Sequence, residues 1–234
     1  MKTKFFYLSL ICILTSQQVF SQNLLHDSTN TTIYLKTWEN DTLGLLWWKT
    51  DSMQAGQLFT TYKSFTGLAE NDSMHITNEW NDSFVCLHHR RYQQYHNGIR
   101  VQGAEYREHF TDDYVVLSNG HIAETLSLSA DTPVSEEGAL NYALNHIGAI
   151  TYAWEDDSLE YYLREDSIPE KTTFYPKGEL IYALLGDKTI KEENYKLAWK
   201  FTIWAIDPYY AKTVYVDASN GEILREVNSS KEGV

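Results

Sequence analysis

The chain has 234 residues, of which 43% are hydrophobic and 22% charged, and its formal net charge is −13. This length suits one domain or two small ones with a substantial core. The acidic balance repels phosphate backbones and so argues against nucleic acid as a partner.

The first 21 residues have the features of a secretory signal peptide. Lys2 and Lys4 form a charged start, residues 5–14 form an apolar run, and Ser21 supplies the small residue before a cleavage site at Gln22. The apolar run is too short to span a bilayer. We therefore predict a secreted or periplasmic protein. Removal of the two lysines and no acid changes the net charge from −13 to −15.

Cys86 is the one cysteine that lies beyond this signal. A secreted chain with a single cysteine forms no internal disulfide, so its stability must come from the core. The position two residues before His88 also suggests a Cys–His nucleophile. A buried structural cysteine is the favoured interpretation, because cysteine is among the most buried residue types.

The first half of the chain has the pattern of an antiparallel meander. Residues 22–57 form a poorly defined N-terminal segment. Strand-like runs follow at 58–68, 74–87 and 122–128, separated by glycine and by Asn/Asp/Ser clusters. With the hairpin described next, they predict a β-meander over residues 58–128.

Between these runs, residues 88–109 predict a β-hairpin and read HHRRYQQYHNGIRVQGAEYREH. Asn97 and Gly98 are the strongest short-range signal for a two-residue turn, in which both residues need a positive φ. On that register Arg90 faces Glu105, an opposite-charge pair across the strands.

The second half predicts one helix followed by an antiparallel sheet. Ser135 is a good N-cap, apolar residues recur at helical spacing from Leu140, and Gly148 supplies the stop. The segments after the helix, including 159–163, are strand-like. The run from 195 to 206 alternates apolar and polar residues, as expected of a strand.

Two stretches resemble known domains. The hairpin segment RYQQYHNGIRVQGAEYREH resembles the signature of the FTP domain, the fungalysin/thermolysin propeptide domain, and VYVDASNGEIL resembles the closing strands of a PepSY domain. The residues that carry the resemblance are Arg91, Tyr92, Gln93, Gln94, Asn97, Gly98, Gly103, Glu105 and Tyr106 in the first stretch, and Asp217 and Gly221 in the second.

The resemblance implies the pro-region of a thermolysin-like zinc metalloprotease. The expected fold is α+β: an FTP-like meander and hairpin domain at 58–128, then a PepSY-like helix-plus-antiparallel-sheet domain at 129–227. The expected function is that of a secreted propeptide, which binds the metalloprotease, assists its folding as an intramolecular chaperone and inhibits it. The tail, residues 228–234, is either a segment that reaches the protease cleft or a disordered terminus.

The motifs of catalysis are missing from the sequence. A thermolysin-like protease needs HExxH to hold zinc, and this sequence contains no His-Glu dipeptide, no Gly-x-Ser-x-Gly and no phosphate loop. We therefore predict no catalytic residue, no metal ligand and no cofactor. His88, His89, His96 and His109 cluster near the hairpin, where satisfied or surface roles are favoured over a zinc site.

The sequence ends at Val234 without the catalytic domain of a family precursor. The expected protein is therefore a pro-domain that acts in trans or a truncated metalloprotease precursor without activity of its own. The alternative is a stand-alone extracytoplasmic binding or scaffold domain.

Overall fold

A computed structural model describes residues 24–26, 32–36, 45–48, 52–165, 173–186 and 190–229 of the chain. The predicted signal peptide, with its cleavage between Ser21 and Gln22, lies outside the described residues. So do residues 230–234 of the predicted tail and much of the predicted N-terminal segment.

Strand is the dominant element of the described residues. The strands are β1 Leu24–His26, β2 Thr32–Lys36, β3 Leu45–Trp48, β4 Asp72–Asp82, β5 Leu87–His96, β6 Ile99–Thr111, β7 Tyr114–Gly120, β8 Thr151–Tyr152, β9 Glu179–Leu184, β10 Tyr195–Asp207, β11 Tyr210–Asp217 and β12 Ile223–Asn228.

These strands are hydrogen-bonded into one mixed sheet. β6 and β9 run parallel, with Val101 beside Tyr182, whereas β10 runs antiparallel to both β9 and β11. The helices in the described part of the chain are α1 (Glu136–Ile147) and α2 (Asp157–Glu165). The predicted α+β fold, a meander followed by a helix-plus-antiparallel-sheet domain, is therefore wrong, because the fold is dominated by a large mixed sheet. Local periodicity shows that a strand exists, but not which distant strand it pairs with.

Two of the predicted meander strands do not form. Residues 58–68 are turns with a short 3₁₀ segment, Lys63–Phe65, and residues 122–128 have no strand. In the latter segment the backbone of Ala123 is satisfied by a side chain. Gln94 accepts a hydrogen bond from the Ala123 N–H at 2.8 Å and donates one to its carbonyl at 2.9 Å. These bonds replace part of a ladder that a neighbouring strand would supply.

The structure confirms the predicted helix α1. The Ser135 hydroxyl accepts a hydrogen bond from the Gly138 N–H at 3.2 Å, and Gly148 ends the helix in the left-handed conformation at φ 62°. The helix buries Leu140 and Ala143 against strands β10 and β11. The two signals that define its ends are local, which is why the sequence contains them.

Helix α2 corrects a second prediction, since residues 159–163 had the appearance of a strand. The Asp156 carboxylate caps this helix by accepting hydrogen bonds from the N–H groups of Ser158 at 2.9 Å and Leu159 at 3.1 Å. A short apolar run fits either element, so periodicity alone does not decide between them. No helix among the described residues has the length and apolar character needed to cross a membrane.

The Asn97–Gly98 turn forms as predicted, with φ of 50° and 77°. Further along β6, however, the buried positions are 101, 104, 106 and 108, so the alternation skips one residue at Gly103. Gly103 has φ 79°, the conformation found at β-bulges. The extra residue shifts the hairpin partners by one position: Glu105 lies 4.0 Å from Arg91, and the predicted pairing with Arg90 is wrong.

The chain divides into two compact units, each with its own buried residues. Of the described residues, the first unit comprises those up to Thr66 together with His75–Tyr92 and Glu105–Ile122, and the second comprises Gly67–Met74, Gln93–Ala104 and those from Ala123 onward. In the first unit Phe59 packs edge-on against Tyr92 and Tyr106, with ring centroids 5.0 and 5.4 Å apart. In the second unit one buried cluster consists of Val101, Ala104, Ala123, Leu126, Tyr182, Leu184 and Tyr195.

Candidate functional site

A buried carboxylate lies on the inner face of the signature hairpin in the first unit. Glu108 in β6 is 1% exposed. Its Oε2 accepts hydrogen bonds from the Tyr92 hydroxyl at 2.7 Å and from the Gly56 N–H at 2.9 Å. Its Oε1 has no hydrogen-bond partner within the described part of the chain. Burial raises the pKa of this carboxyl, because a low-dielectric surrounding disfavours the charged form.

Arg90 connects this carboxylate to the surface. Its Nη1 lies 4.0 Å from Oε2 of Glu108 and donates a hydrogen bond to the Tyr92 hydroxyl at 3.4 Å. Its Nε lies 2.6 Å from Oε1 of the exposed Glu79. Burial, and then the neighbouring Glu108, also raise the pKa of the Tyr92 hydroxyl. Glu108 is therefore the group in this network that binds a proton, and Tyr92 stays a neutral hydrogen-bond donor.

The opposite face of the same hairpin carries a histidine pair. Nδ1 of His89 and Nδ1 of His109 lie 2.6 Å apart, and Nε2 of His109 lies 2.8 Å from the amide oxygen of Asn119. With that oxygen as acceptor, His109 carries its proton on Nε2. Its Nδ1 therefore accepts the hydrogen bond that His89 donates.

The His89 ring is held by an aromatic neighbour and titrates abnormally. It stacks on Trp80 of β4 with a centroid distance of 4.9 Å and an interplanar angle of 22°. Burial, and next the neighbouring His109, lower the pKa of His89. The proton that charges the His89 ring is therefore bound less readily than on an exposed histidine.

The two signature glutamines act as substitutes for backbone partners in the second unit. Nε2 of Gln93 donates to the carbonyl oxygens of Val101 at 2.7 Å and Ala104 at 3.1 Å, which flank the extra residue at Gly103. Gln94 is fully buried and bonds to both backbone groups of Ala123. Both amides thus satisfy polar groups that the irregular backbone leaves outside a regular ladder.

A buried Asp–His pair follows in the same unit. Asp72 accepts hydrogen bonds from Nδ1 of His96 at 2.6 Å, from Nε2 of Gln94 at 3.0 Å and from the Ala69 N–H at 2.8 Å. With three donors around it, this carboxylate is an acceptor only and fixes the His96 ring. A cavity of about 280 Å³ lies beside the pair. Its lining includes Ala69, Glu70, Asn71, His96, Asn97, Leu126, Ser127 and Leu128.

The remaining signature residues hold turns and close contacts. The Tyr106 hydroxyl is 3.1 Å from the hydroxyl of Ser118. Oδ1 of Asp217 accepts hydrogen bonds from the N–H and the hydroxyl of Ser219, and the Gly221 N–H donates to the Asp217 carbonyl. Gly221 has φ 81°, and a Cβ there would clash with the Tyr142 ring. These residues therefore have structural tasks.

The structure separates the predicted residues into distinct groups. Of the four clustered histidines, His89 and His109 meet, His96 pairs with Asp72, and His88 bonds to Asn81 at 2.6 Å. Among the described residues no group of three or more potential ligands could hold a metal ion. Cys86 is exposed, contrary to the predicted burial, because it lies in the loop after β4 rather than in a strand.

Sequence analysis missed the burial of two acids, Glu108 and Asp72. Glu108 stands beside His109 in an acidic chain and has the appearance of a solvated residue. Its spacing of two from Tyr106 was the available signal, since alternate strand residues share a face. Asp72 lies in an Asn-Asp-Ser cluster that predicts a turn, and no local signal indicates its burial.

No protein-family model matches the chain. A search of curated proteins also finds no match.

Proposed function

We propose that the chain is a secreted, propeptide-like protein that binds a thermolysin-like zinc metalloprotease, assists its folding and inhibits it. The proposal rests on the resemblance of the hairpin sequence to the pro-region of such proteases. One observation supports it: the residues that carry the resemblance have specific tasks in the hairpin. Gln93 bonds the carbonyls beside Gly103, and Asn97 and Gly98 form the turn.

Binding alone accounts for both parts of the proposed activity. A partner that binds only the folded protease stabilises it in proportion to the logarithm of its concentration over Kd. The same partner inhibits when it covers the cleft. The formal charge of the secreted chain, −15 after Lys2 and Lys4 are removed from the −13 of the full sequence, favours encounter with a basic protease surface at low salt.

The test is inhibition in trans. The chain from Gln22 onward is purified and titrated against thermolysin-like metalloproteases from the culture fluid of its source, with substrate hydrolysis as the readout. Slow-onset inhibition that fades as the chain is cleaved is the expected result. A serine protease from the same fluid is the matched control and should be unaffected. Folded chain that inhibits none of the metalloproteases would contradict the proposal.

Secretion is part of the same proposal and has its own measurement. Removal of the signal peptide between Ser21 and Gln22 gives a mature chain that lacks Lys2 and Lys4. Intact mass and N-terminal sequencing of the protein from the extracytoplasmic fraction should show Gln22 as the first residue. Unprocessed chain confined to the cytoplasm would argue against it.

A second candidate is a stand-alone extracytoplasmic binding domain, favoured by exposed aromatic side chains in the second unit. Tyr161, Tyr162 and Tyr175 are 59%, 64% and 54% exposed. Oε1 of Glu160 in α2 accepts a hydrogen bond from the Phe174 N–H at 2.6 Å, which holds Tyr175 near this helix. The ring centroids of Tyr161 and Tyr162 lie 5.9 Å apart, and exposed apolar side chains that lie together mark binding surfaces. Replacement of Tyr161 and Tyr162 by serine separates the candidates, since it should abolish partner capture while protease inhibition, if present, persists.

A further inference from the structure

β4 has the features of an open sheet edge. Within the described residues it pairs with β5, and residues 76–81 are exposed without alternation. This stretch contains no proline and no lysine, which commonly protect an edge from further pairing, and Glu79 is its one charged residue. An exposed strand with so little protection can add another strand through its backbone donors and acceptors.

We propose that a second copy of this chain pairs with it antiparallel along β4, about a two-fold axis at Asn78. The first argument is the placement of the apolar side chains. Ile76 is 52% exposed and Trp80 is 36% exposed, and their even spacing puts them on one face. With the axis at Asn78, Ile76 lies opposite Trp80 of the second copy, and the symmetry makes that contact twice.

In the two neighbouring pairing registers, Ile76 and Trp80 do not lie opposite each other. An axis at Thr77 places Ile76 opposite the polar Asn78. An axis at Glu79 places the two Glu79 carboxylates opposite each other, where like charges destabilise a strand pair. In the proposed register Glu79 faces Thr77 instead. Apolar pairing and charge therefore select the same axis.

The Trp80 ring is held in place for such a contact. One face stacks on His89 at 4.9 Å, and the guanidinium carbon of Arg91 lies 6.0 Å from the ring. The indole therefore loses little conformational freedom when an Ile76 side chain packs on its exposed part. The order of apolar and charged residues along β4 is complementary to itself in this register. A second copy of the chain is therefore the partner that the strand fits.

The first experiment measures mass against concentration. Sedimentation equilibrium of the intact chain should show a reversible monomer–dimer equilibrium. The I76K variant should remain monomeric at concentrations where the parent chain is mostly dimeric. F84K is the matched control, because Phe84 is 94% exposed in the loop after β4 and outside the paired strand. It should dimerise like the parent chain. Circular dichroism verifies that both variants fold.

The second experiment determines the register by disulfide trapping. N78C and T77C are each placed in a C86S background, since Cys86 is free. Residues directly opposite have Cα atoms about 4.5–5.5 Å apart. The two Thr77 residues lie diagonally, about 7–8 Å apart, beyond the reach of a relaxed disulfide. Oxidation should therefore cross-link N78C rapidly and T77C slowly or not at all.

Several results would overturn the proposal. A chain that is monomeric at all concentrations and gives no cross-link at Asn78 has no such dimer. A dimer that persists in I76K, or that cross-links through T77C in preference to N78C, uses another surface or register. None of these outcomes depends on protease binding.

Discussion

The hydroxyl of Tyr92 in β5 donates a 2.7 Å hydrogen bond to the carboxylate of Glu108 in β6, and both side chains are buried in the first unit. Burial raises the pKa of both groups. The carboxylate therefore stays protonated to a higher pH than an exposed glutamate. Above that pH the interior of the unit contains a negative charge held by two donors, so its stability is expected to depend on pH.

E108Q should remove this dependence. A carboxyl whose pKa is raised in the folded state above the ordinary value of 4.5 contributes stability below that value, and this contribution is lost as pH rises through the folded pKa. Each unit of elevation corresponds to about 1.4 kcal/mol. The unfolding free energy of E108Q relative to the parent chain should therefore increase between pH 4 and pH 8 in urea titrations. A constant difference would contradict the assignment. Y92F should have the opposite trend, because it removes a donor from the charged form.

The histidine pair should give the opposite pH dependence: its contribution to stability is lost as pH falls, whereas that of Glu108 is lost as pH rises. Burial, with His109 adding to it, lowers the pKa of His89 from its ordinary value of 6.5. A depressed histidine contributes stability above pH 6.5, and this contribution is lost as pH falls through the folded pKa. H89F keeps a ring against Trp80 and should lose less stability than the parent chain between pH 7 and pH 5.

NMR titration tests the lowered pKa of His89 directly in the folded protein. The ring protons of His89 should titrate with a midpoint below 6.5. A midpoint at or above that value would contradict the burial of the His89 ring beside His109.

Two of the positive-φ glycines of the second unit, Gly98 and Gly221, form a matched pair. Gly98 has φ 77° and has no atom within 4 Å of the position that a Cβ would take, whereas a Cβ at Gly221, with φ 81°, would clash with the Tyr142 ring. G98A should cost only the conformational strain, about 1–2 kcal/mol. G221A should cost more in chemical denaturation. Truncating the ring in Y142A should recover part of the G221A loss, and equal costs at the two glycines would contradict the contact.

Replacing Gln94 by an apolar residue should strongly lower the unfolding free energy. Q94L removes the partners of the Ala123 N–H and carbonyl and one donor to Asp72, all inside the second unit. Each buried group left unsatisfied costs about 1–3 kcal/mol. The expected loss in unfolding free energy is therefore about 3 kcal/mol or more. Q57L removes exposed bonds to Gln54 and should stay within about 0.5 kcal/mol of the parent chain.

Local signals in the sequence predicted the hairpin turn and both ends of the first helix correctly. The Asn97–Gly98 turn, the N-cap at Ser135 and the stop at Gly148 all depend on neighbouring residues, and all three form. The fold class depends instead on β6 pairing in parallel with β9, and nothing in either strand identifies the other. The helical state of 159–163 likewise depends on a cap at Asp156 that a short apolar run does not predict.

The candidate site was predictable only in part, for the same reason. The histidine cluster was visible as a cluster, but its division into a His89–His109 pair and an Asp72–His96 pair depends on strand faces. The single extra residue at Gly103 changes those faces beyond it. A register that assumed regular pairing from the turn therefore assigned Glu105 to Arg90 instead of Arg91.

The extra residue at Gly103 also limits which length changes β6 can accept. Deleting one residue between Gly103 and Tyr106 would turn each later side chain of β6 to the opposite face of the sheet. Glu108 would then turn to the outer face, and His109 would turn inward against Tyr92. Removing two residues would preserve parity and shorten the strand only. Sequences that keep this hairpin should therefore differ in length here by even steps, while loops elsewhere vary freely.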